Sequence, residues 1–257
     1  MRSLWLSIGL TGALCGAAAL FPLRADGPPA TAFAQAHEAY RAKDYARAYD
    51  LYKQVAATVS NPAVHYDLGC AAFKAGHVGE AVLQFEKAHR LTPRDADISS
   101  NLEFARGQIK DATPDEETDF LTRLVWGPLD RVSLNEVSTA VSLAWWLSMA
   151  ALLALVLTRD PARRATLRVP LAGLLVLTAV LAVPFAMKYH AEEMNEQAIV
   201  LAREVPVLSG PGTDEVKRFV LHEGTRVRLL GRWDKWLHVA LPSGENGWAI
   251  AETLGVI

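Results

Sequence analysis

Two long uncharged apolar runs constrain the fold of this chain more than any other feature. The first covers residues 137–158 and the second covers residues 169–187, and neither contains a charged side chain. At about 1.5 Å of rise per residue, a helix of either length crosses a hydrocarbon core of roughly 30 Å. We therefore predict a transmembrane hairpin with spans at 134–158 and 169–188. Burial of such helices inside a soluble core is the alternative.

The segment between the runs, residues 159–168, predicts the orientation of the hairpin. It contains four arginines against one aspartate, whereas the segment after the second run is rich in glutamate. Because positive residues stay on the cytoplasmic side, we predict a cytoplasmic basic loop at 159–168 and both long flanks outside. Neither apolar run carries an ionisable residue, which argues against a proton or ion pathway.

The N-terminus has the layout of a secretory signal. Arg2 precedes an apolar stretch, and a small-residue cleavage site ends at Ala25. We predict a signal peptide at 1–25, with an uncleaved signal anchor as the alternative. Lipid attachment at Cys15 is rejected because the residue before it, Leu14, is not small. Either form of the signal would export the segment that follows, and this agrees with the orientation predicted from the arginines at 159–168.

Composition excludes several functional classes. The net charge of −2 gives no electrostatic case for binding nucleic acid. With Cys15 in the signal, Cys70 has no partner for an internal disulfide, and we expect it to be a small buried hydrophobic residue. The sequence shows no nucleophile elbow, no metal-ligand cluster and no phosphate loop, so we predict a protein that is not an enzyme and needs no cofactor or metal.

An internal repeat follows the signal. Residues 43–52 align with residues 76–85 at a spacing of 33, with Ala48 over Ala81 and an aromatic residue four positions after each. Small residues in this pattern lie where two helices cross closely, and the pattern resembles the tetratricopeptide repeat, a helix–turn–helix unit of about 34 residues. A further helix would cover the open end of the array. The predicted bounds are 32–110 for the module, 32–60 and 62–94 for the repeats, and 95–110 for the capping helix.

The resemblance to this repeat implies a concave groove lined by the first helix of each unit. A partner's peptide or helix would bind there through aromatic contacts and cationic hydrogen bonds. Packing between neighbouring helices is the alternative for each residue. The expected binding residues are Tyr40, Arg41, Tyr66, Phe73 and Lys74.

Residues 111–133 connect the repeats to the first span. Their first part is acidic, which predicts a solvated linker. Residues 120–126 then show apolar side chains at helical spacing, which predicts a short helix at the membrane surface or packed against the repeats. Ser133 and Glu136 form a capping-box pattern directly before the first apolar run.

Beyond the hairpin the pattern changes to short alternating strands separated by turn residues, over residues 196–257. The turn at 223–225, the strand at 236–239 and the segment 247–249 together resemble a bacterial SH3 domain, which implies a small all-β barrel. Such barrels bind peptides or cell-wall fragments in grooves edged by aromatic residues.

Three tryptophans are the candidate groove residues of this barrel: Trp233, Trp236 and Trp248. The alternative is that Trp236 and Trp248 fill the core while Trp233 is exposed. His222 and His238 have no acidic or cysteine partners at metal-ligand spacing, and we interpret both as ordinary barrel residues.

The predicted fold class is thus a multidomain membrane protein with all-α tetratricopeptide-like repeats, a two-helix transmembrane hairpin and a small all-β SH3-like barrel. This order of modules resembles the BatE-type proteins of the bacterial aerotolerance operon. The resemblance implies membrane proteins with von Willebrand A domains as partners and, indirectly, a MoxR-type AAA+ ATPase. It implies a scaffold in the bacterial inner (cytoplasmic) membrane, with both modules on the periplasmic or outer side. The alternative function is an envelope sensor or tether whose barrel binds peptidoglycan.

Overall fold

The computed structural model describes residues 28–111, 127, 129, 131–191 and 196–257. The predicted signal peptide, most of the acidic linker and the apolar segment at 120–126 lie outside these residues. Within them, seven helices precede seven strands. The helices are α1 (Pro28–Arg41), α2 (Tyr45–Ala56), α3 (Pro62–Ala75), α4 (Val78–Leu91), α5 (Ala96–Arg106), α6 (Leu134–Leu157) and α7 (Pro161–Tyr189).

Helices α1 to α4 form two helix–turn–helix units, and α5 follows as a fifth helix packed on α4. Local capping determines where these helices begin. The side chain of Asn61 accepts a hydrogen bond from the backbone of Ala63, and that of Asp95 accepts from two amides at the start of α5. Gly76 ends α3 at φ 87°, and Lys43 takes a left-handed φ of 63° at the matching turn of the first unit.

The aligned small and aromatic residues form the contacts between these helices. Ala48 and Ala81 are fully buried, and Tyr52 and Phe85 are the largest buried side chains beside them. A side chain at Gly69 would place its Cβ 2.7 Å from the ring of Phe85. The two helical units predicted from the repeat spacing are therefore confirmed.

Helices α6 and α7 pack against each other as an antiparallel hairpin, and both are long and apolar enough to cross a membrane. The capping box at the start of α6 is confirmed, with Ser133 and Glu136 exchanging backbone hydrogen bonds. The predicted loop at 159–168 is wrong in extent, because α7 begins at Pro161 and the predicted second span at 169–188 starts inside it. Asp160 caps this earlier start, and arginine is a good helix former, so the helix extends beyond its apolar part.

The C-terminal module is one antiparallel sheet in the order β3-β2-β6-β5-β4-β1-β7. Its strands are β1 (Gln197–Val200), β2 (Glu204–Leu208), β3 (Lys217–His222), β4 (Arg226–Trp233), β5 (Trp236–Ala240), β6 (Asn246–Ile250) and β7 (Leu254–Val256). Buried residues from all seven strands share one hydrophobic core, which indicates a strongly curved sheet. The sheet is open, since β3 and β7 each pair on one side only, and the closed SH3-like barrel is not confirmed.

Candidate functional site

A pocket lies on the side of the helical module formed by α1, α3 and α5. Its cavity measures about 100 Å³, well below the roughly 300–1,000 Å³ of typical small-molecule sites. This volume suits a single apolar side chain better than a cofactor. We call this site the groove pocket, and it is lined by Tyr40, Cys70, Phe73, Lys74, Phe85, Asn101 and Phe104.

Aromatic rings form most of the groove pocket. Phe73 on α3 contacts Phe104 on α5, with ring centroids 5.3 Å apart and planes at 55°. Phe85 is buried, whereas Phe104 leaves 58% of its surface exposed although it is a large apolar residue. The pocket therefore presents an aromatic side chain to solvent.

Two polar groups at the pocket have unused hydrogen-bonding capacity. The side-chain amide of Asn101 donates to the hydroxyl of Tyr66 at 3.1 Å and to the carbonyl of Asp97 at 2.8 Å. Both of its hydrogens are thereby used, and its carbonyl oxygen has no partner among the described residues. The ammonium of Lys74 is exposed and likewise makes no ion pair within the described part of the chain.

The structure brings together three of the five residues expected from the repeat pattern. Tyr40, Phe73 and Lys74 line the groove pocket. Tyr66 instead lies behind it, packing on Phe85 at 5.9 Å and orienting Asn101 through its hydroxyl. Arg41 is exposed and does not line the pocket.

Sequence reasoning missed Asn101 and Phe104 as pocket residues. Both lie on the helix that was expected only to cover the end of the array. Their spacing of three residues puts them on one helix face, and an exposed aromatic at that spacing is the signal that could have identified them.

Burial raises the pKa of two groups at the pocket, the thiol of Cys70 and the hydroxyl of Tyr66. It raises the pKa of the Cys70 thiol to about 11, so the thiol is protonated and a poor nucleophile at neutral pH. Burial also raises the pKa of Tyr66 to about 12, which keeps its hydroxyl neutral as the acceptor for Asn101. Among the described residues, no group of three or more histidine, cysteine or acidic side chains could hold a metal ion.

A second side of the helical module is covered by the sheet itself. We call this contact the docked face; it joins α4, α5 and residues 109–111 to β1, β7 and residues 222–226, which include the turn between β3 and β4. Ile199 of β1 is fully buried among residues of α4 and α5 rather than in the core of the sheet. A Cβ at Gly79 would overlap the carbonyl oxygen of Val200, and one at Gly255 would overlap Leu83. These glycines permit close approach of the two modules.

Helix α4 also receives its N-terminal cap from the sheet. His77 provides no side-chain cap, and the amide of Gly79 donates instead to the carboxylate of Glu223 at 2.8 Å. A carboxylate at this position satisfies a free backbone donor and interacts favourably with the helix dipole.

A buried carboxylate lies between the two modules. Glu86 on α4 is only 8% exposed and accepts hydrogen bonds from Arg106 on α5, at 2.5 and 3.2 Å, and from Arg226 on β4. Burial by itself would raise the pKa of Glu86, but the charges of Arg226 and Arg106 outweigh it and hold that pKa below its usual value. The charge pairing spans both modules.

Asp111 forms a second polar connection. Its carboxylate accepts from the backbone amide and Nδ1 of His222, both at 2.8 Å, and from the hydroxyl of Thr225 at 3.0 Å. Burial raises the pKa of Asp111, but the hydrogen bonds from His222 and Thr225 have the larger combined effect and keep the pKa below its usual value. His222, interpreted from sequence as an ordinary barrel residue, therefore belongs to the docked face.

The docked face was not expected from the sequence, although β1 carried a signal for it. Residues 198–200 are all apolar, without the polar alternation of a strand that has one face in water. All three are buried, Ala198 and Val200 in the core of the sheet and Ile199 against the helices.

The three tryptophans of the sheet differ in their surroundings. Trp233 is 66% exposed, as expected. Trp236 is buried and Trp248 is half-buried. Neither belongs to the cluster that contains Leu237 and Ala249, because successive side chains of a strand point to opposite faces of the sheet. The ring of His238 stacks on Trp248 with centroids 4.8 Å apart. The alternative of burial is therefore met by Trp236, whereas Trp248 is only half-buried.

Comparison with known proteins identifies one module. A family model described as tetratricopeptide repeat matches residues 62–95, which cover α3 and α4. No curated protein matches the chain. The second helical unit is therefore a tetratricopeptide repeat, a fold associated with protein–protein interaction.

Proposed function

We propose that this chain is a non-enzymatic, membrane-anchored scaffold whose groove pocket holds a segment of a partner protein. The observation that carries the proposal is the pocket itself. On a tetratricopeptide repeat, it combines an exposed aromatic side chain with a donor and an acceptor that the described part of the chain leaves unused.

The geometry of the groove pocket suggests the chemistry of its ligand. An apolar side chain of the partner would lie between Phe73 and Phe104. A backbone amide next to it would donate to the free oxygen of Asn101. A carboxylate or carbonyl oxygen of the same segment would accept from Lys74.

The hairpin of α6 and α7 is the proposed membrane anchor. Its exposed surface is apolar along most of both helices, and the four arginines lie in its connection (Arg159) and in the first turns of α7 (Arg163, Arg164 and Arg168). In this proposal the connection lies in the cytoplasm and both modules lie outside, in the periplasm of a bacterial inner membrane. The docked face supports placing both modules on one side, because they contact each other directly.

The resemblance to BatE-type proteins suggests the partners. We propose membrane proteins with von Willebrand A domains as ligands of the groove pocket. A MoxR-type ATPase would be an indirect partner, because proteins of that class are cytoplasmic and only the connection between α6 and α7 would face it.

Purification of the tagged chain from crosslinked cells, followed by mass spectrometry, tests this proposal. The test variants are Phe104→Ala and Lys74→Ala, and the matched control is Arg41→Ala, a cation on the same module outside the pocket. We expect the pocket variants to reduce recovery of von Willebrand A-domain proteins by about tenfold, the effect of losing one central contact, while the control retains them. Equal recovery from all variants would remove the groove pocket from the proposal.

A second candidate function rests on Trp233, which is exposed at the turn between β4 and β5. An exposed tryptophan can stack on a sugar ring, and in this alternative the sheet binds peptidoglycan. Because Ile199 packs against the helices, the binding test uses the full chain in mild detergent rather than the isolated sheet. If the chain sediments with purified cell wall and Trp233→Ala does not, the tether function is supported. If cell wall leaves the amount of chain in the supernatant unchanged, the tether function is excluded.

A further inference from the structure

Two adjacent tryptophans lie in the middle of α6. The helix begins at Leu134 and ends at Leu157. Glu136 in its first turn pairs with Arg94 of the repeats at 3.2 Å. At about 1.5 Å per residue, Trp146 is about 14 Å from the start of the apolar run and about 18 Å from its end. If the hairpin spans a membrane, as proposed above, both indoles lie at the midplane of the bilayer.

The tryptophans lie outside the buried stripe of α6. The stripe of α6 that faces α7 contains Ala144 and Ser148, both buried, and Ser148 lies 3.4 Å from Thr178 of α7. Trp145 and Trp146 are outside this stripe and are 50% and 53% exposed. Adjacent residues are 100° apart around a helix, so the two rings cover about the width of one neighbouring helix.

The indole N–H groups make this surface unsuited to lipid. Neither tryptophan has a hydrogen-bond partner in the part of the chain that the structure describes. Tryptophan is enriched at the membrane–water interface because its N–H requires a partner, and the hydrocarbon centre offers neither water nor a lipid acceptor. Ser142, one turn earlier on the same side, is also exposed. Its hydroxyl has no bond to a described residue, whereas that of Ser148 donates to the carbonyl of Ala144.

We propose that Ser142, Trp145 and Trp146 form an intramembrane docking surface for a transmembrane helix of a different protein. We call it the tryptophan face. The partner helix carries a side-chain carbonyl or hydroxyl oxygen near the middle of its span, and this oxygen accepts from an indole N–H. The small side chain of Ser142 lets the two helices approach closely, as small residues do in membrane interfaces.

The acceptor has to come from another kind of chain. In a symmetrical pair of copies, equal depths face each other, so the indole donors of one copy would meet those of the other. At this depth the hydroxyl groups of the hairpin belong to Ser148 and Thr178, which lie 3.4 Å apart between the two helices; Ser148 is fully buried and Thr178 half-buried. The exposed hydroxyl of Ser142 lies about 6 Å further along the helix axis than Trp146, toward the membrane surface. In its described part, a second copy therefore presents indole donors, and no exposed hydroxyl acceptor, at the depth of Trp146.

Photocrosslinking from the full chain in its native membrane tests the proposal. The probe is p-benzoylphenylalanine in place of Trp146. The matched control is the same probe in place of Val180, which is 60% exposed and lies level with Trp146, because the antiparallel helices meet at Ser148 and Thr178. We expect the probe at position 146 to crosslink to a peptide from the transmembrane segment of another protein that carries a mid-span oxygen side chain. The probe at Val180 should label lipid.

A second set of variants tests the hydrogen bonds. With the probe at Met149, one turn further along, Trp145→Phe combined with Trp146→Phe keeps the ring area and removes both N–H donors. We expect the crosslink yield to fall about fivefold to tenfold, the effect of two intramembrane hydrogen bonds. An unchanged yield would show that ring packing alone forms the contact and would overturn the assignment of an acceptor.

The remaining outcomes separate this inference from the proposed membrane anchoring. Protein that is released from membranes by alkaline extraction would overturn both. Protein that stays in the membrane but labels only lipid from position 146 would overturn the tryptophan face and leave the anchor and the groove pocket intact. Crosslinking to a second copy of this chain would replace the different partner by a homodimer.

Discussion

The helical module has two contact surfaces, and the chain treats them in opposite ways. The docked face is filled by the sheet, and its polar groups are paired: Glu86 with two arginines, Asp111 with His222 and Thr225, and Gly79 with Glu223. The groove pocket is left open, with an exposed phenylalanine and two polar groups that the described residues do not satisfy.

This difference separates the surface that holds the molecule together from the surface that can bind another one. Buried polar groups destabilise a protein unless they are paired, and at the docked face the pairing is achieved within one chain. At the groove pocket the same types of group remain in contact with solvent, so a ligand can supply the partners. The two surfaces should therefore respond differently to substitution.

The largest effect is expected from removing the buried carboxylate of the docked face. Glu86→Ala leaves Arg106 and Arg226 close together without their counter-ion. We expect a loss of about 2–3 kcal/mol in the free energy of unfolding, less than the roughly 3–5 kcal/mol for a fully buried pair, because both arginines can turn toward water. Chemical denaturation of the full chain in mild detergent measures it. The control is Arg94→Ala, which breaks an exposed ion pair and should change stability by at most about 1 kcal/mol.

Substitution of Gly79 by alanine should reveal the close approach of the modules, because the free energy of unfolding should fall rather than rise. Glycine to alanine within a helix ordinarily stabilises by about 0.5–1 kcal/mol. In Gly79→Ala the new Cβ would overlap a backbone oxygen of β1, and we expect a destabilisation of about 1–3 kcal/mol. Thermal unfolding compares it with Gly173→Ala, whose Cβ meets nothing within 4 Å. Stabilisation by both substitutions would contradict the docked face.

The docked face should weaken in acid. The pKa values of Glu86 and Asp111 lie below their ordinary 4.5 and 3.8 in the folded chain, so the unfolded chain binds protons more tightly. Their stabilisation is complete above about pH 5 and is lost as the pH falls through the ordinary values toward the folded ones. Unfolding measured between about pH 3 and pH 6 should show this loss, and Glu86→Gln combined with Asp111→Asn should flatten the profile. If the stability of the wild-type chain depends on pH as little as that of the double variant, the two carboxylates do not stabilise the docked face.

The smallest effect is expected behind the groove pocket. Tyr66→Phe removes the hydroxyl that accepts from Asn101 and leaves the ring on Phe85. The free energy of unfolding should fall by no more than about 1 kcal/mol, the usual value of one hydrogen bond. Partner binding should weaken about threefold to fivefold, because Asn101 loses its fixed orientation. Co-purification measures the binding, and Tyr45→Phe on α2 is the control; equal binding by both variants would remove Tyr66 from the site.

The helices and strands could be predicted from the sequence because their signals are local. The repeat spacing indicated both helical units, the capping box indicated the start of α6, and alternation indicated the strands. The start of α7 was missed because a basic segment was interpreted as a loop, whereas Asp160 and Pro161 are also good residues for a helix N-terminus.

The candidate site was predicted less completely. Tyr40, Phe73 and Lys74 follow from the repeat pattern, which specifies one face of the first helix in each unit. Asn101 and Phe104 do not, because their role depends on how α5 packs beside that face. Tyr66 was expected at the surface of the groove, but the ring of Phe85 draws it into a supporting position.

The sequence by itself determined the kinds of element in this protein: paired helices of a repeat, two apolar helices of membrane-spanning length, and a set of short strands. Periodicity and capping are encoded within a few residues of each other, and those signals can be read directly. Only the tertiary structure decided that the sheet docks on the repeats, that Trp236 is buried while Trp248 is half-buried, and that Trp145 and Trp146 lie outside the buried stripe of α6. These contacts join residues far apart in the chain, such as Glu86 and Arg226, and they cannot be predicted from local sequence patterns.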